Sequence, residues 1–341
     1  MKKIRLTHLD GKLPNLALMK LAHWHKANGD EVSLARHPSQ SMMEGAYDVV
    51  YGSSIFGWSS NVVARLKAAY PDAIIGGTGT GDFVTVESHL GVEEYEHYDY
   101  SIYPEYPFSI GFTQRGCRLN CGFCVVPKKE GKPRALNTIY DIWRTGTPRC
   151  VVLLDNDFFG QPTDDWQSRL NEIHEGGFKV SFNQGINIRL VYPEAAAALA
   201  TIRYSDDQFK TRRLYTAWDN VGQEKIFFRG LEMLKDAGIP ASHLMVYMLI
   251  GYKPGETMEE ILYRYQLLKD AGCKPFPMVY DNLDPKLKKF QRWVIRRYDD
   301  IVPWETFSTV SYRLHQGPQP LPLWIEDTGD KDNTIIEVEE I

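Results

Sequence analysis

The chain has 341 residues, 43% of them hydrophobic and 24% charged, the proportions of an ordinary globular protein with room for one large domain or two smaller ones. Its formal net charge of -5 supplies no global basic field for nucleic acid or anionic membrane. Five cysteines, an odd and clustered set, exclude a disulfide framework and fit a reducing compartment. Met1-Lys-Lys-Ile-Arg-Leu opens on too short an apolar stretch for a signal peptide, and no apolar run of about 18 residues follows, so a cytoplasmic protein is expected.

In chain order, the first 104 residues read as a small Rossmann-like α/β unit. Ile4 to Thr7, Glu31 to Ala35, Asp48 to Gly52 and Ala73 to Gly77 are strands; Leu16 to Ala27 and Asn61 to Ala69 are helices. Tyr95 to Pro107, rich in tyrosine and proline, is the expected linker. From 105 to 281 strand and helix patterns alternate. The strands are Ser109 to Thr113, Cys150 to Leu154, Lys179 to Phe182, Leu214 to Trp218, His243 to Ile250 and Lys274 to Val279. Helices follow over Asn137 to Thr145, Thr163 to Glu175 with Thr163 as N-cap, from Pro193, over Asn220 to Ala237, and from the capping box Thr257-Met-Glu-Glu. A last helix, Pro285 to Tyr298, opens a segment 282–341 that turns proline-rich at Pro318, Pro320 and Pro322 and then acidic from Glu326 to Glu340. Leu283, Leu287, Phe290 and Val294 form that helix's apolar stripe; Lys286, Lys288, Lys289, Arg292, Arg296 and Arg297 give it a basic face. Repeated strand–helix units predict a parallel sheet, either an open doubly wound sheet or a partial barrel.

Cys117, Cys121 and Cys124 are spaced C-x3-C-x2-C directly after the first strand of the second unit, in a loop at the carboxyl edge where parallel α/β folds gather function. Three thiolates hold three irons of a cubane cluster and leave one open, whereas a structural zinc wants a fourth ligand, with His174 or His97 the distant candidates. Cys150 and Cys273 precede their strands and belong to the opposite edge as buried thiols. Other strand ends also carry polar or aromatic groups: Asp155-Asn156-Asp157, Asn183-Gln184-Gly185, Trp218-Asp219-Asn220, Gly251-Tyr252 and Tyr280-Asp281.

Arg115-Gly-Cys-Arg-Leu-Asn-Cys-Gly-Phe-Cys resembles the signature of the radical S-adenosylmethionine (radical SAM) enzymes, down to the aromatic residue before the last cysteine. The alternation from 108 to 280 is similar to their partial (β/α)6 barrel, and Val246 to Thr257 to their fifth-strand segment. The resemblance implies a [4Fe–4S] cluster on Cys117, Cys121 and Cys124, with S-adenosylmethionine on the open iron. It further implies reductive cleavage to a 5′-deoxyadenosyl radical and an electron donor such as a flavodoxin or ferredoxin. Phe123 and Gly251 would border the adenine, Asp155, Asn156 and Asp157 stand where the family has Gly-Gly-Glu, and Asn183, Gln184 and Arg189 would reach ribose and carboxylate. The first unit resembles the cobalamin-binding domain of one radical SAM class through Asp48-Val-Val-Tyr-Gly and the glycines from Gly76 and Gly77 onward; its D-x-H-x-x-G pattern has His8 and Gly11 but Leu6 for the aspartate. With cobalamin, methyl transfer is implied; without it, isomerisation or oxidation. Tyr215, Tyr247 and Tyr280 are candidate catalytic residues on an unknown substrate, whether small molecule, peptide or nucleic acid. The rival class is a non-catalytic metal-binding module that docks nucleic acid through the basic helix.

Overall fold

The structure is a computed structural model that describes residues 1–41, 44–81, 84–280 and 283–309. Asp281 and the proline-rich acidic segment therefore lie outside the described residues.

Four parallel strands form the first sheet: β1 (Lys3–His8), β2 (Glu31–Ala35), β3 (Val49–Ser53) and β4 (Ile74–Gly76), in the order β2-β1-β3-β4. Ile4 and Leu6 of β1 are fully buried against Leu18, Met19 and Ala22 of the helix Leu16–Ala27. Asn15 caps that helix, its side chain accepting from the Leu18 amide at 3.2 Å.

The expected linker is packed rather than slack. Ile102 and Tyr103 are buried among Ile4, Leu6 and Tyr51, and the Tyr100 hydroxyl accepts from the Ile110 amide at 2.9 Å. Tyrosine and proline read as a spacer in the sequence, but their rings supply the apolar area that fastens the segment down.

The second unit continues with β5 (Ser109–Gly111), a short antiparallel pair β6 (Gln114–Arg115) and β7 (Arg134–Ala135), then β8 (Cys150–Leu153), β9 (Lys179–Phe182), β10 (Arg203–Tyr204), β11 (Leu214–Ala217), β12 (Leu244–Ile250) and β13 (Lys274–Val279). The parallel strands fall into a four-stranded sheet β10-β9-β8-β5 and a three-stranded sheet β11-β12-β13. The Ile186 amide donates to the Tyr215 carbonyl at 2.7 Å, linking the end of β9 to β11. The fourth strand expected from the sequence, Leu214 to Trp218, is β11; the two-residue β10, separated from it by a polar loop around Asp206 and Phe209, is an additional strand.

One face of both sheets packs on helices. Val151, Leu153, Val180, Leu214, Leu244, Val246, Met248 and Ile250 share a core with Leu170, Phe227, Leu231 and Leu268. On β12 this face is fully buried, while Met245, Tyr247 and Leu249 on the other face are half-buried.

Several helix limits differ from the sequence reading. The first helix of this unit shrinks to Ile139–Ile142, because Thr138 and Asp141 form a capping box inside the expected span. Pro162, not Thr163, is the N-cap of Thr163–Glu175. The Thr257–Glu260 capping box forms as expected and starts the helix Met258–Asp270. No helix among the described residues is long and apolar enough to cross a membrane.

The helix Pro285–Ile295, followed by a short one at Trp304–Thr309, buries Leu287, Phe290, Trp293 and Val294, whereas Leu283, expected in that stripe, precedes it and is 87% exposed. Phe290→Ala is expected to cost about 3–5 kcal/mol in chemical denaturation. Leu283→Ala should stay within about 0.5 kcal/mol of wild type by the same measurement.

Candidate active site at the cysteine loop

The cysteine loop is tied at its base. Gln114 and Arg115 pair with Ala135 and Arg134 in the β6–β7 ribbon, and the Cys117 amide donates to the Gly131 carbonyl at 3.2 Å. Gly116 makes that closure possible: its φ is +80°, and a Cβ there would sit 2.2 Å from the Lys132 carbonyl oxygen.

The end of β8 fastens the loop from below. Asp155 is 3% exposed, and its carboxylate accepts from the Thr113 amide at 2.7 Å, the Gln114 amide at 3.0 Å and the Thr113 hydroxyl. Gln114 Oε1 accepts from the Asp157 amide at 2.9 Å, while Gln114 Nε2 donates to the Arg115 and Gly116 carbonyls. Asp157, also buried, takes Arg118 Nε at 2.8 Å and Nη2 at 3.1 Å. Asn156 donates to Glu130, which is paired with Arg115 at 2.7 Å. The Asp-Asn-Asp run, read from the sequence as part of a cofactor contact, is occupied in holding residues 113–118 and 130. Thr113, Gln114, Arg118 and Glu130 were not singled out in the sequence. A polar residue at a strand end reads as an ordinary turn, and only the spatial pairing reveals the network.

All five cysteines are free thiols, and the three of the loop are half-buried. Burial pushes the Cys117 and Cys124 thiols above their ordinary range, against one amide hydrogen bond each. The charge of Cys121 adds to the rise at both, Asp157 adds at Cys117, and Glu130 adds at Cys124. The loop thus brings the thiols within electrostatic reach of one another. Among the described residues, however, no group of three or more His, Cys, Asp or Glu side chains is gathered into a metal-ligand set. His174 Nδ1 faces the Thr201 carbonyl, and His97 stacks on His23. Cys273 is buried, with its thiol pushed up to about 12, and Cys150 is half-buried; both open strands at the edge opposite the loop.

Aromatic rings border the loop. Phe123 meets Tyr252 edge-on at 5.1 Å, Tyr252 meets Tyr280 at 4.9 Å, and all three are exposed. A Cβ on Gly122 would lie 2.4 Å from the Tyr252 hydroxyl, so a side chain there would shift that ring. Tyr252 was seen only as a strand-end residue in the sequence, yet it is the ring that joins Phe123 to Tyr280. Tyr215 and Tyr247 stack 5.8 Å apart, deeper on the same sheet.

The remaining candidates divide. The Asn183 amide donates to the Leu153 carbonyl at 3.0 Å, while the Asn183 and Gln184 side chains make no hydrogen bond among the described residues. Arg189 is bonded to Asn187 at 3.1 Å. The Gly251 amide donates to Glu256 at 2.7 Å, and Leu287 fills the space where its side chain would be. A Cβ on Gly77 would lie 2.1 Å from the Ser54 carbonyl oxygen, so this glycine answers to the neighbouring loop; Gly76 has only the Val84 carbonyl, at 3.4 Å.

Comparison with known proteins adds one finding. No family model matches the chain, and no curated protein does. A solved structure described as apo, SeMet-labelled cobalamin-dependent S-adenosylmethionine radical enzyme OxsB is similar in fold, with a TM-score of 0.54 at 13% identity. The likeness covers 88% of this chain and 56% of that one, so the chain spans about half the length of the structure it matches.

Asp155 generates a pH test. Burial raises its carboxyl from 3.8 to about 7, against the hydrogen bonds from Thr113 and Gln114. A folded-state value above the unfolded one gives a stabilising contribution that is complete below about pH 4 and lost as pH rises through about 7. Asp155→Asn keeps an oxygen for both amides and a donor for the Thr113 hydroxyl. The variant is expected to gain stability relative to wild type as denaturation is repeated from pH 4 to 7. A constant difference across that range would contradict the assignment.

Proposed function

We propose that the chain is a radical SAM enzyme, with Cys117, Cys121 and Cys124 holding a [4Fe–4S] cluster. The observation that carries this reading is the placement of three free thiols, and no fourth, on one loop pinned at the carboxyl edge of a parallel sheet. Fold likeness to a radical SAM enzyme supports it. The donor set fits a cluster with one open iron better than a closed zinc site. When bound, such a cluster supplies the electron that cleaves S-adenosylmethionine reductively.

The chain's own residues have separable roles in this reading. Asp155, Gln114 and Asp157 fix the approach of the loop to β8, and Arg115 and Glu130 close its far side. Phe123 and Tyr252 offer ring edges for an adenine. Asn183 and Gln184, whose side chains are uncommitted among the described residues, are offered for the ribose, with Arg189 behind them for a carboxylate. In this reading the two parallel sheets are the halves of a partial (β/α)6 barrel, and residues 1–104 form a separate unit docked on it. An electron donor of the flavodoxin or ferredoxin kind completes the system.

The glycine-rich loop does not fit cobalamin. Gly77 and Gly79, which would have to face a ligand, are packed on the Ser54 and Phe56 carbonyls. His8 Nε2, buried without a hydrogen-bond partner while Nδ1 is engaged by the Tyr103 hydroxyl at 3.0 Å, by itself favours a ligand, but it does not reopen that loop. No step is derived through a corrinoid, and isomerisation or oxidation begun by hydrogen abstraction is favoured over methyl transfer.

Anaerobic reconstitution is expected to load about four irons per chain, lost in the Cys117→Ala/Cys121→Ala/Cys124→Ala variant. About one zinc per chain instead would favour the metal-binding module and overturn the reading. Incubation with hydroxocobalamin and desalting should leave no corrinoid absorbance on the protein. Retained absorbance would reinstate the methyl-transfer branch.

A further inference from the structure

The two sheets of the second unit treat their non-helical faces differently. On the β5–β8 side, Ile110 and Val152 are covered by Phe209, Tyr106, Phe108 and, from the first unit, Leu13 and Leu16. On β11–β13 the corresponding face is half open. Tyr247 stacks on Tyr215 at 5.8 Å and meets Phe276 edge-on at 5.6 Å. Toward the cysteine loop, Met278 and Tyr280 are 45% and 55% exposed.

The amino edge of this open sheet is basic. Lys274 pairs in register with Met245 and Phe276 with Tyr247, which puts Lys274 on the same face as the aromatic row. Arg213 immediately precedes β11, and its charge acts on both Tyr215 and Tyr247. Arg212 lies 5.0 Å from the centre of the Tyr204 ring, and the Tyr204 hydroxyl faces His243 Nδ1 at 2.7 Å, which leaves Nε2 for another partner.

Among the described residues, none of Arg212, Arg213, His243 and Lys274 has a carboxylate within ion-pair distance. The bases act on one another instead. Burial and then Arg212, Arg213 and Lys274 lower His243; burial and then Arg213 and Arg297 lower Lys274. Arg297 is paired with Asp300. Asp207 of the adjacent loop acts on both tyrosines and Asp206 on Tyr215, but neither acts on His243 or Lys274. Arg213 Nε is buried and has no hydrogen-bond partner. Cations gathered along one edge, with a buried guanidinium nitrogen left unpartnered, call for an anion, and a phosphate offers more oxygens to such donors than the two of a carboxylate.

We propose that Arg213, His243 and Lys274, with Arg212 beside them, bind the phosphate of an elongated ligand whose planar apolar body lies on Tyr215, Tyr247 and Phe276. Tyr280 lies six positions beyond Lys274, about 20 Å along the strand direction, so such a ligand points its far end at the cysteine loop. Its role as the substrate of a radical SAM reaction rests on the function proposed above; its binding does not, because every residue involved lies outside the cysteine loop.

Titration calorimetry on the full chain, without iron or S-adenosylmethionine, tests the site with phenyl phosphate, inorganic phosphate, phenol and benzoate. Phenyl phosphate is expected to bind at least about tenfold more tightly than any of the other three. Arg213→Gln/Lys274→Gln should weaken both phosphate probes about tenfold or more. Phe276→Ala should weaken phenyl phosphate alone, its unchanged affinity for inorganic phosphate showing that it folds. Phenyl phosphate binding no tighter than phenol or benzoate, or undiminished in the double variant, would overturn the proposal. Cys117→Ala should bind phenyl phosphate as wild type does, which separates failure of this site from failure of the cluster.

Discussion

The carboxylate of Asp155 accepts hydrogen bonds from the Thr113 and Gln114 amides and from the Thr113 hydroxyl, in a setting where it is almost wholly out of water. Those bonds fix the chain between β5 and the cysteines to the next strand of the sheet. Gln114 carries the constraint forward, since its side chain spans the Asp157 amide and the Arg115 and Gly116 carbonyls. Arg118 on Asp157 extends it past Cys117. A loop with three half-buried thiols has little apolar area of its own to hold it in place. Its position depends on this polar network, in which Asp155 is fully paired although burial still raises its carboxyl to about 7.

The first unit is joined to that loop by contacts of the same kind. Lys129, on the short helix after Cys124, reaches Thr78 at 2.9 Å, and Asn137 bridges Glu96 and the Phe112 carbonyl. Leu13 and Leu16 pack with Ile110 and Val152. Residues 1–104 thus cover one face of the β5–β8 strands and leave the matching face of β11–β13 open. This asymmetry leaves Tyr247 and Phe276 half-buried and Tyr252 and Tyr280 exposed on the open side. The glycine-rich loop of the first unit has a structural role here as well, because Gly77 and Gly79 allow it to close on Ser54 and Phe56 beside Thr78.

Much of the framework was legible because the sequence declares it locally. The capping box at Thr257, the proline at the start of Pro193–Thr201 and the apolar runs of β8 and β12 place elements without reference to anything distant. Chain order alone puts Cys117, Cys121 and Cys124 at one edge and Cys150 and Cys273 at the other. What was not legible depends on pairing across space. Asp155 and Asp157 look like turn residues until their partners near position 115 are known. β10 is only two residues long and carries no readable period, so only its pairing with β9 reveals it. Leu283 fits the helical stripe by spacing but falls before the helix begins, because Asp284 caps it.

The central claim is that the three thiols of one pinned loop leave an open iron for S-adenosylmethionine. It is tested most directly by electron paramagnetic resonance of the anaerobically reconstituted and reduced protein, recorded before and after S-adenosylmethionine is added. Binding at the open iron predicts a low-spin cluster signal whose g-values shift on addition and which is absent from the triple cysteine variant. A signal unchanged by S-adenosylmethionine, or one that survives loss of the three cysteines, would contradict the account.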